Sequence, residues 1–344
     1  MLGIDQRALR VVWTVFLSGL LAALAYKLSG TIIVFTLAIF LAHLLGPIAS
    51  RLERRMPAAW IQRRASLAIV YLGLIGLTAA ILIPLLAQVG QQAVALARQL
   101  PAAIAADPLS RLPLPSWLEP IRESLTAALH NWFSSFDSAL IPVLEGLGSR
   151  LGGFLGGALA LVLIPILSFF FLKDGRDMRN AIVDFFPPTR REVAGGILDD
   201  LHVLLEAYLR ALVSLALIVL VTYSLFLSIA GVPFPLLLAA IAAGLEIIPV
   251  AGPLAASVII VATSLLSGYE HNGWLVVFLV LFRLVQDYWI SPLLLAAGIE
   301  IHPLWVLFGV LAGEEVAGIP GMFFAVPVMA ALRIIIIRIR RTTA

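Results

Sequence analysis

The chain contains no cysteine and carries little charge for its length. None of the 344 residues is cysteine, which excludes disulfides, thiolate nucleophiles and cysteine-ligated metals. Only 12% of the residues are charged and 61% are hydrophobic, whereas a soluble domain has about 25% charged and about 45–50% apolar residues. So little charge cannot cover a water-facing surface, and the composition therefore predicts an all-α, polytopic membrane protein. The net charge of +3 gives no indication of nucleic-acid binding.

Sequence motifs of common enzyme classes are also missing. The chain has no His-Glu-x-x-His, no Gly-x-Ser-x-Gly and no phosphate-binding Gly-x-x-x-x-Gly-Lys pattern. We therefore expect no enzymatic activity, no cofactor and no metal site. An ATP-driven pump is excluded as well, unless a separate subunit supplies the ATPase.

About six segments are apolar and long enough to span a bilayer, which takes about 20 residues of helix. They are Val11–Leu28, Thr31–Ser50, Ala65–Leu86, Gly152–Leu172, Tyr208–Ala230 and a segment centred on Val276–Ile290. These boundaries divide the chain into N-terminal transmembrane helices (1–87), an extramembrane amphipathic cap (88–150) and a C-terminal transport region (151–344).

The basic residues predict the orientation. Arginine clusters follow the second and fourth segments, and another ends the chain at Arg338, Arg340 and Arg341. Because positive charge marks the cytoplasmic side, both termini and the polar segment 173–206 should be cytoplasmic. The cap should then lie outside.

Two further stretches, 234–267 and 302–337, must each return to the side that they left if this orientation holds. Each is barely long enough for two crossings and is broken by proline and glycine in its middle. We predict two hairpins of short helices that could be re-entrant. Gly244, Glu246 and Gly252 recur at the same spacing as Gly313, Glu315 and Gly321, and paired broken segments of this kind mark the substrate sites of transporters.

The candidate binding or coupling residues lie at these breaks and in the apolar helix between them. They are Glu246, Pro249, Gly252, Pro253, Arg283, Gln286, Asp287, Glu314, Glu315, Gly318, Pro320 and Gly321.

The charged candidates each have a functional and a structural interpretation. A charge at the bilayer centre costs about 3 kcal/mol, so Glu246 is either a site residue or a helix-capping carboxylate. Arg283 and Asp287 lie four residues apart and can pair, as a gate or as a structural salt bridge. The adjacent Glu314 and Glu315 repel each other, so that one could hold a proton; an exposed loop tip would explain them equally well.

Several motifs resemble one family of bacterial membrane proteins. Phe169-Phe170-Phe171-Leu172-Lys173-Asp174-Gly175 resembles the Phe-x-Leu-Lys-Asp-Gly signature of the autoinducer-2 exporter family. Phe186-Pro187-Pro188, Gly231-Val232-Pro233, the segment from Glu246 to Pro253, His302-Pro303 and Gly318-Ile319-Pro320-Gly321 follow in the family's order. The segment Arg210–Val213 departs from the family pattern, which argues against transferring a substrate identity.

The resemblance implies a secondary transporter of the inner membrane that exports a small polar solute, such as the quorum-sensing molecule autoinducer-2, and that could be proton-coupled. It also implies a homo-oligomer, with a pentamer favoured, in which each protomer moves substrate by an elevator-like motion. Lipid and a small molecule or ion are then the expected partners. Two alternatives stay open: a sodium (cation)/proton antiporter, and a membrane scaffold that does not transport.

Overall fold

A computed structural model describes residues 13, 14, 16, 17, 19, 20, 24, 27–55, 63–105, 154–249, 251–295 and 302–343. Over these residues the ordered elements are helices, and none is a strand. In chain order they are α1 (Ser29–Arg55), α2 (Arg63–Ala105), α3 (Phe154–Asp184), α4 (Pro188–Ile229), α5 (Pro235–Leu245), α6 (Ala251–Leu266), α7 (Asn272–Val285), a π-helix (Gln286–Ile290), α8 (Ser291–Leu295) and α9 (Pro303–Thr343).

Four of the described helical stretches are long and apolar enough to cross a membrane: Tyr71–Gln99, Pro188–Ile229, Asn272–Leu294 and Gly321–Arg340. The predicted class of an all-helical, multi-pass membrane protein is therefore confirmed. Most of Val11–Leu28 and most of the cap lie outside the described residues, so that the number of six spans stays a prediction.

The helices continue well beyond the apolar segments that predicted them. Helix α2 runs through Leu86 to Ala105, and α3 runs through Leu172 to Asp184. Helix α4 begins at Pro188, where proline occupies the first helical position, and it enters the apolar segment at Tyr208 without a break. Hydrophobic length therefore locates the part of a helix that suits lipid, but it does not fix where the helix begins or ends.

The chain divides into two compact units, the first formed by residues 1–71 and 154–178. In this unit the Tyr71 hydroxyl donates to the carbonyl of Pro165, at 2.9 Å. Pro165 lies inside α3, and Phe35 meets Phe171 edge to ring at 6.1 Å between ring centroids. Aromatic contacts and one hydrogen bond to the backbone thus hold α3 against α1 and the start of α2.

The second unit comprises residues 72–153 and 179–344, and its core is formed by α4, α5, α6 and α7. Fully buried apolar side chains from all four helices meet there, among them Leu227, Leu238, Ile260 and Leu275. Outside this core, large apolar side chains remain exposed, as Leu225 and Leu281 are, and such a surface suits lipid rather than water.

Two contacts fix the ends of the first broken hairpin, α5–α6. At its start, the Gln92 side chain of α2 accepts a hydrogen bond from the backbone N–H of Leu237, at 2.9 Å. This bond satisfies one of the free N–H groups at the beginning of α5. Beyond the end of α6, the Tyr269 hydroxyl donates to the carbonyl of Ala230 at 3.0 Å. Ala230 caps the C-terminus of α4 directly after Ile229, so that the hairpin begins and ends near one end of α4.

Candidate functional site

The first break separates α5 from α6 and carries Glu246. Helix α5 ends at Leu245, and Glu246 follows in helical conformation with its N–H bonded to the carbonyl of Ala242. The chain then turns through Pro249, and α6 starts at Ala251 with Pro253 in its first turn, where proline is tolerated. The break is therefore placed by prolines, as the sequence predicts.

A close backbone approach joins the two arms of this hairpin. A Cβ atom added to Gly252 would lie 2.7 Å from the carbonyl carbon of Leu245 and closer still to its oxygen. Only glycine fits at this position, because the obstacle is backbone and cannot rotate away. Gly244, by contrast, has open space around its Cα.

A buried amide holds the carboxylate of Glu246. The Gln286 side chain, only 3% exposed, donates from Nε2 to Oε2 of Glu246 at 2.8 Å. The two residues lie 40 positions apart: Glu246 caps the end of α5, and Gln286 is the first residue of the π-helix after α7. This contact brings together two residues that sequence reasoning could name only separately.

Arg283 and Asp287 form the predicted ion pair, with 2.8 Å between Nη2 of Arg283 and Oδ1 of Asp287. Both side chains are partly exposed, and both interact electrostatically with the Glu246 carboxylate. Two carboxylates, one guanidinium and one amide therefore gather beside the first break. Formally the cluster carries one net negative charge.

The segment that carries Gln286 and Asp287 is a π-helix, Gln286–Ile290. A π-helix inserts an extra residue into a turn, and such insertions are frequent at functional sites. Here the irregular turn begins directly after Val285, the last residue of α7, and Arg283 lies in the turn before it. No sequence signal announced it, because the surrounding apolar pattern is ordinary helix.

An aromatic group that sequence reasoning missed borders the cluster. The Tyr223 ring of α4 is 6% exposed and lies 5.1 Å from the Phe282 ring and 5.6 Å from the Phe278 ring, centroid to centroid. Phe226 stacks on Phe278 at 3.5 Å. Tyr223 also interacts electrostatically with Glu246. Its only sequence signal was a tyrosine in the middle of an apolar span.

The second break lies within α9, at Gly318. This residue has φ 63° and ψ −141°, a conformation that only glycine adopts readily. The two arms fold back on each other through small residues. Gly309 lies against Ala325, and Gly313 and Gly321 approach each other so closely that a Cβ on either would strike the other's backbone. Close packing of this kind through glycine is common between helices in membranes.

The two breaks therefore share the same kind of close backbone contact, although the contacted residue lies seven positions before the glycine in the first hairpin and eight positions before it in the second. In each, a glycine of the second arm (Gly252 or Gly321) presses on a carbonyl near the end of the first arm. That carbonyl belongs to Leu245 in the first hairpin and to Gly313 in the second. The second arm of the second hairpin is also longer than predicted, because its helix continues to Thr343.

The predicted site residues thus fall into two groups. Glu246, Arg283, Gln286 and Asp287 meet at the first break. Glu314 and Glu315 lie exposed on the helical first arm of α9 rather than at a loop tip, and among the described residues no ion pair joins them to the Glu246 cluster. Pro320 lies in the second arm of α9, two residues after Gly318.

The described residues contain no group of three or more histidine, aspartate or glutamate side chains that could hold a metal ion. The chemistry that this site offers is hydrogen bonding and charge, supplied by a carboxylate that lies beside an amide and an ion pair. Such groups can hold a small polar molecule or a cation, or exchange a proton.

Comparison with known proteins gives one family and several relatives. The model of the AI-2E family transporter matches residues 12–341. The chain is 27% identical to YrrI of Bacillus subtilis (strain 168) over 198 residues, or 58% of this chain and 56% of YrrI. It is 26% identical to YueF of the same organism over 315 residues, 88% of this chain and 82% of YueF. PerM of Escherichia coli (strain K12) is 26% identical over 191 residues, 55% of this chain and 54% of PerM.

YrrI and YueF are named as candidate transport proteins, and PerM is named as a candidate permease. The chain thus spans somewhat more than half the length of YrrI and PerM, and most of the length of YueF.

Proposed function

The chain belongs to the AI-2E family of transporters, and from that premise we propose that it is a secondary transporter that exports a small polar solute through a site at Glu246. The observation that carries the proposal is the hydrogen bond from buried Gln286 to a carboxylate at a broken helix. An ionisable residue within a membrane-spanning region is costly to bury, and the residues that are kept there usually have a function. The solute would be of the autoinducer-2 type, a polyhydroxylated molecule that amide and carboxylate groups can hydrogen-bond.

The same proposal makes the α5–α6 hairpin re-entrant. Its two helices hold 11 and 16 residues, and at about 1.5 Å per residue neither reaches across the roughly 30 Å hydrocarbon core. Gln92 and Tyr269 tie its two ends to neighbouring elements. Glu246 would then lie at the tip of the hairpin, partway across the membrane, where a solute can reach it.

A cation/proton antiporter is the second candidate, and the charge of the cluster favours it. Glu246 and Asp287 supply two negative charges against the single positive charge of Arg283. A site with one net negative charge can bind a monovalent cation, and protonation of a carboxylate would release it. Proton coupling of an exporter would use the same carboxylates.

Flux into proteoliposomes of the purified protein tests both candidates. A pH gradient is imposed and followed with a pH-sensitive dye while sodium, then autoinducer-2, is added. We expect movement of autoinducer-2 that Glu246→Gln abolishes without changing assembly. Dissipation of the gradient by sodium, abolished by the same substitution, would identify an antiporter instead.

Glu270→Gln is the matched control, because it removes the same charge at an exposed position in the turn after α6. Full transport by Glu246→Gln would remove Glu246 from the site. Unchanged function after neutralising Glu246, Asp287, Glu314 and Glu315 together would favour a scaffold that does not transport.

We further propose that the chain assembles as a homo-oligomer in the bacterial inner membrane with both termini in the cytoplasm. The family resemblance supports a pentamer. The position of Arg338 supports the shared side of the C-terminus and the segment 173–206, because its guanidinium binds Asp200 of that segment. Mass photometry of the purified protein measures the number of protomers.

A further inference from the structure

Two arginines bind side by side near the start of α4. The sequence there is Gly195-Gly196-Ile197-Leu198-Asp199-Asp200. Residues four apart lie on one face of a helix, so each glycine lies one turn below an aspartate. This arrangement creates two adjacent arginine-binding positions, here called seats. The first seat is formed by Gly195 and Asp199, and the second by Gly196 and Asp200.

Arg179 occupies the first seat. Its Nε donates to Oδ1 of Asp199 at 2.6 Å, and its Nη2 donates both to Oδ2 of Asp199 and to the carbonyl of Gly195. Arg179 lies near the end of α3, only a short turn before α4. The ion pair between Arg191 and Asp184, at 3.1 Å, bridges the same turn. Local chain connectivity therefore keeps Arg179 close to its seat.

Arg338 occupies the second seat and arrives from far along the chain. Its Nε donates to Oδ2 of Asp200 at 2.7 Å, and its Nη2 donates to Oδ1 at 2.9 Å. A Cβ atom on Gly196 would lie 2.9 Å from the Arg338 Cζ atom, so that a methyl group at this position would push the guanidinium aside. Arg338 belongs to the second arm of α9, beyond the Gly318 break, and 138 residues separate it from Asp200.

We propose that the Asp200–Arg338 pair is a releasable latch that holds the second arm of α9 against α4, while the Asp199–Arg179 pair is a permanent clamp within the α3–α4 turn. The bidentate geometry gives the latch one defined closed position. The side chains of both pairs are partly exposed, so that water can solvate either pair once it separates. The pairs differ in connectivity: Arg179 stays within a short turn of Asp199, whereas Arg338 lies beyond the Gly318 break and can move away with its arm.

The latch follows from the contacts and does not depend on which solute the protein moves. It is tested by distances rather than by flux. The absence of native cysteine allows spin labels at two introduced cysteines without background. Val203 of α4 and Ile336 of α9 are 61% and 50% exposed, and each lies within one turn of a latch residue. Pulsed electron–electron double resonance then measures the distance between the two labels, and so the separation of the two helices.

We expect Asp200→Asn to shift the distance distribution toward longer separations, whereas Asp199→Asn leaves it unchanged. Gly196→Ala should give the same shift without altering any charge, because the methyl group displaces the Arg338 guanidinium. Gly175→Ala is its control, since a Cβ at Gly175 has no neighbour within 4 Å.

Exchanging the charges, with Asp200→Arg and Arg338→Asp together, should return the distribution toward that of the parent. Each variant is first checked for a single species by size-exclusion chromatography, and the exchange variant serves if Asp200→Asn does not fold. Distributions for Asp200→Asn and Gly196→Ala that match the parent would overturn the latch. An equal shift from Asp199→Asn would overturn the distinction between latch and clamp.

Discussion

Replacing Gly252 with alanine tests the close approach that forms the first break. A Cβ at this position would lie 2.7 Å from the carbonyl carbon of Leu245, whereas ordinary contacts begin at 3.4 Å. The two arms must separate to admit it, because the obstructing atoms belong to the backbone. Overpacking of this kind costs roughly 1–3 kcal/mol.

The matched control is Gly244→Ala, in the first arm of the same hairpin. Gly244 is exposed in α5, its φ is not positive, and a Cβ there meets nothing within 4 Å. Glycine costs about 0.5–1 kcal/mol in a helix interior; since Gly244 is the next-to-last residue of α5, alanine should stabilise the helix by at most this amount. The two substitutions add the same methyl group, yet we expect effects of opposite sign.

The assay is thermal unfolding of both variants and the parent in one detergent, followed by intrinsic tryptophan fluorescence. Gly252→Ala should unfold at a lower temperature than the parent, and Gly244→Ala at the same or a higher temperature. Because Glu246 lies between the two arms, Gly252→Ala should also reduce transport. A Gly252→Ala variant as stable as the parent would refute the close approach and the hairpin geometry built on it.

Three further predictions concern the contacts around the hairpin. Gln286→Met should lower the free energy of unfolding by about 1–3 kcal/mol, because it leaves the carboxylate of Glu246 without its amide donor; an unchanged unfolding temperature in the same detergent would contradict this. Cysteines introduced at Ile229 and Glu270 should react with a membrane-impermeant maleimide from the same side of the membrane if α5–α6 is re-entrant, and labelling from opposite sides would show instead that the hairpin crosses. Gln92→Leu should cost about 0.5–2 kcal/mol of stability through loss of a hydrogen bond to the start of α5, and equal stability of Gln92→Leu and the parent would show that water replaces this bond.

Much of the fold followed from composition and breakers. The scarcity of charge predicted a membrane protein, and Pro249, Pro253 and Gly318 marked the two breaks, where the structure also interrupts its helices. The pairing of Arg283 with Asp287 followed from their spacing of four. Such inferences succeed because hydrophobic length, proline and glycine act within a few residues of the chain.

Long-range contacts did not follow from the same signals. The sequence named Glu246 and Gln286 as candidates but could not join them, because the hydrogen bond between them depends on how α5 and the π-helix pack. In the sequence, Tyr223 looks like any other residue of an apolar span. Only the structure shows that its ring packs against Phe278 and Phe282 beside the site.

The sequence by itself determined that this chain is a helical membrane protein with two broken segments and an unusual set of charges within apolar segments. Its motifs also indicated the family to which it belongs. Only the tertiary structure decided that Gly252 and Gly321 press on the opposite arms of their hairpins, and that Asp200 receives Arg338 from the distant end of the chain. The physical reason is that local propensities depend on neighbours in sequence, whereas close backbone approach and ion pairing depend on which helix surfaces meet.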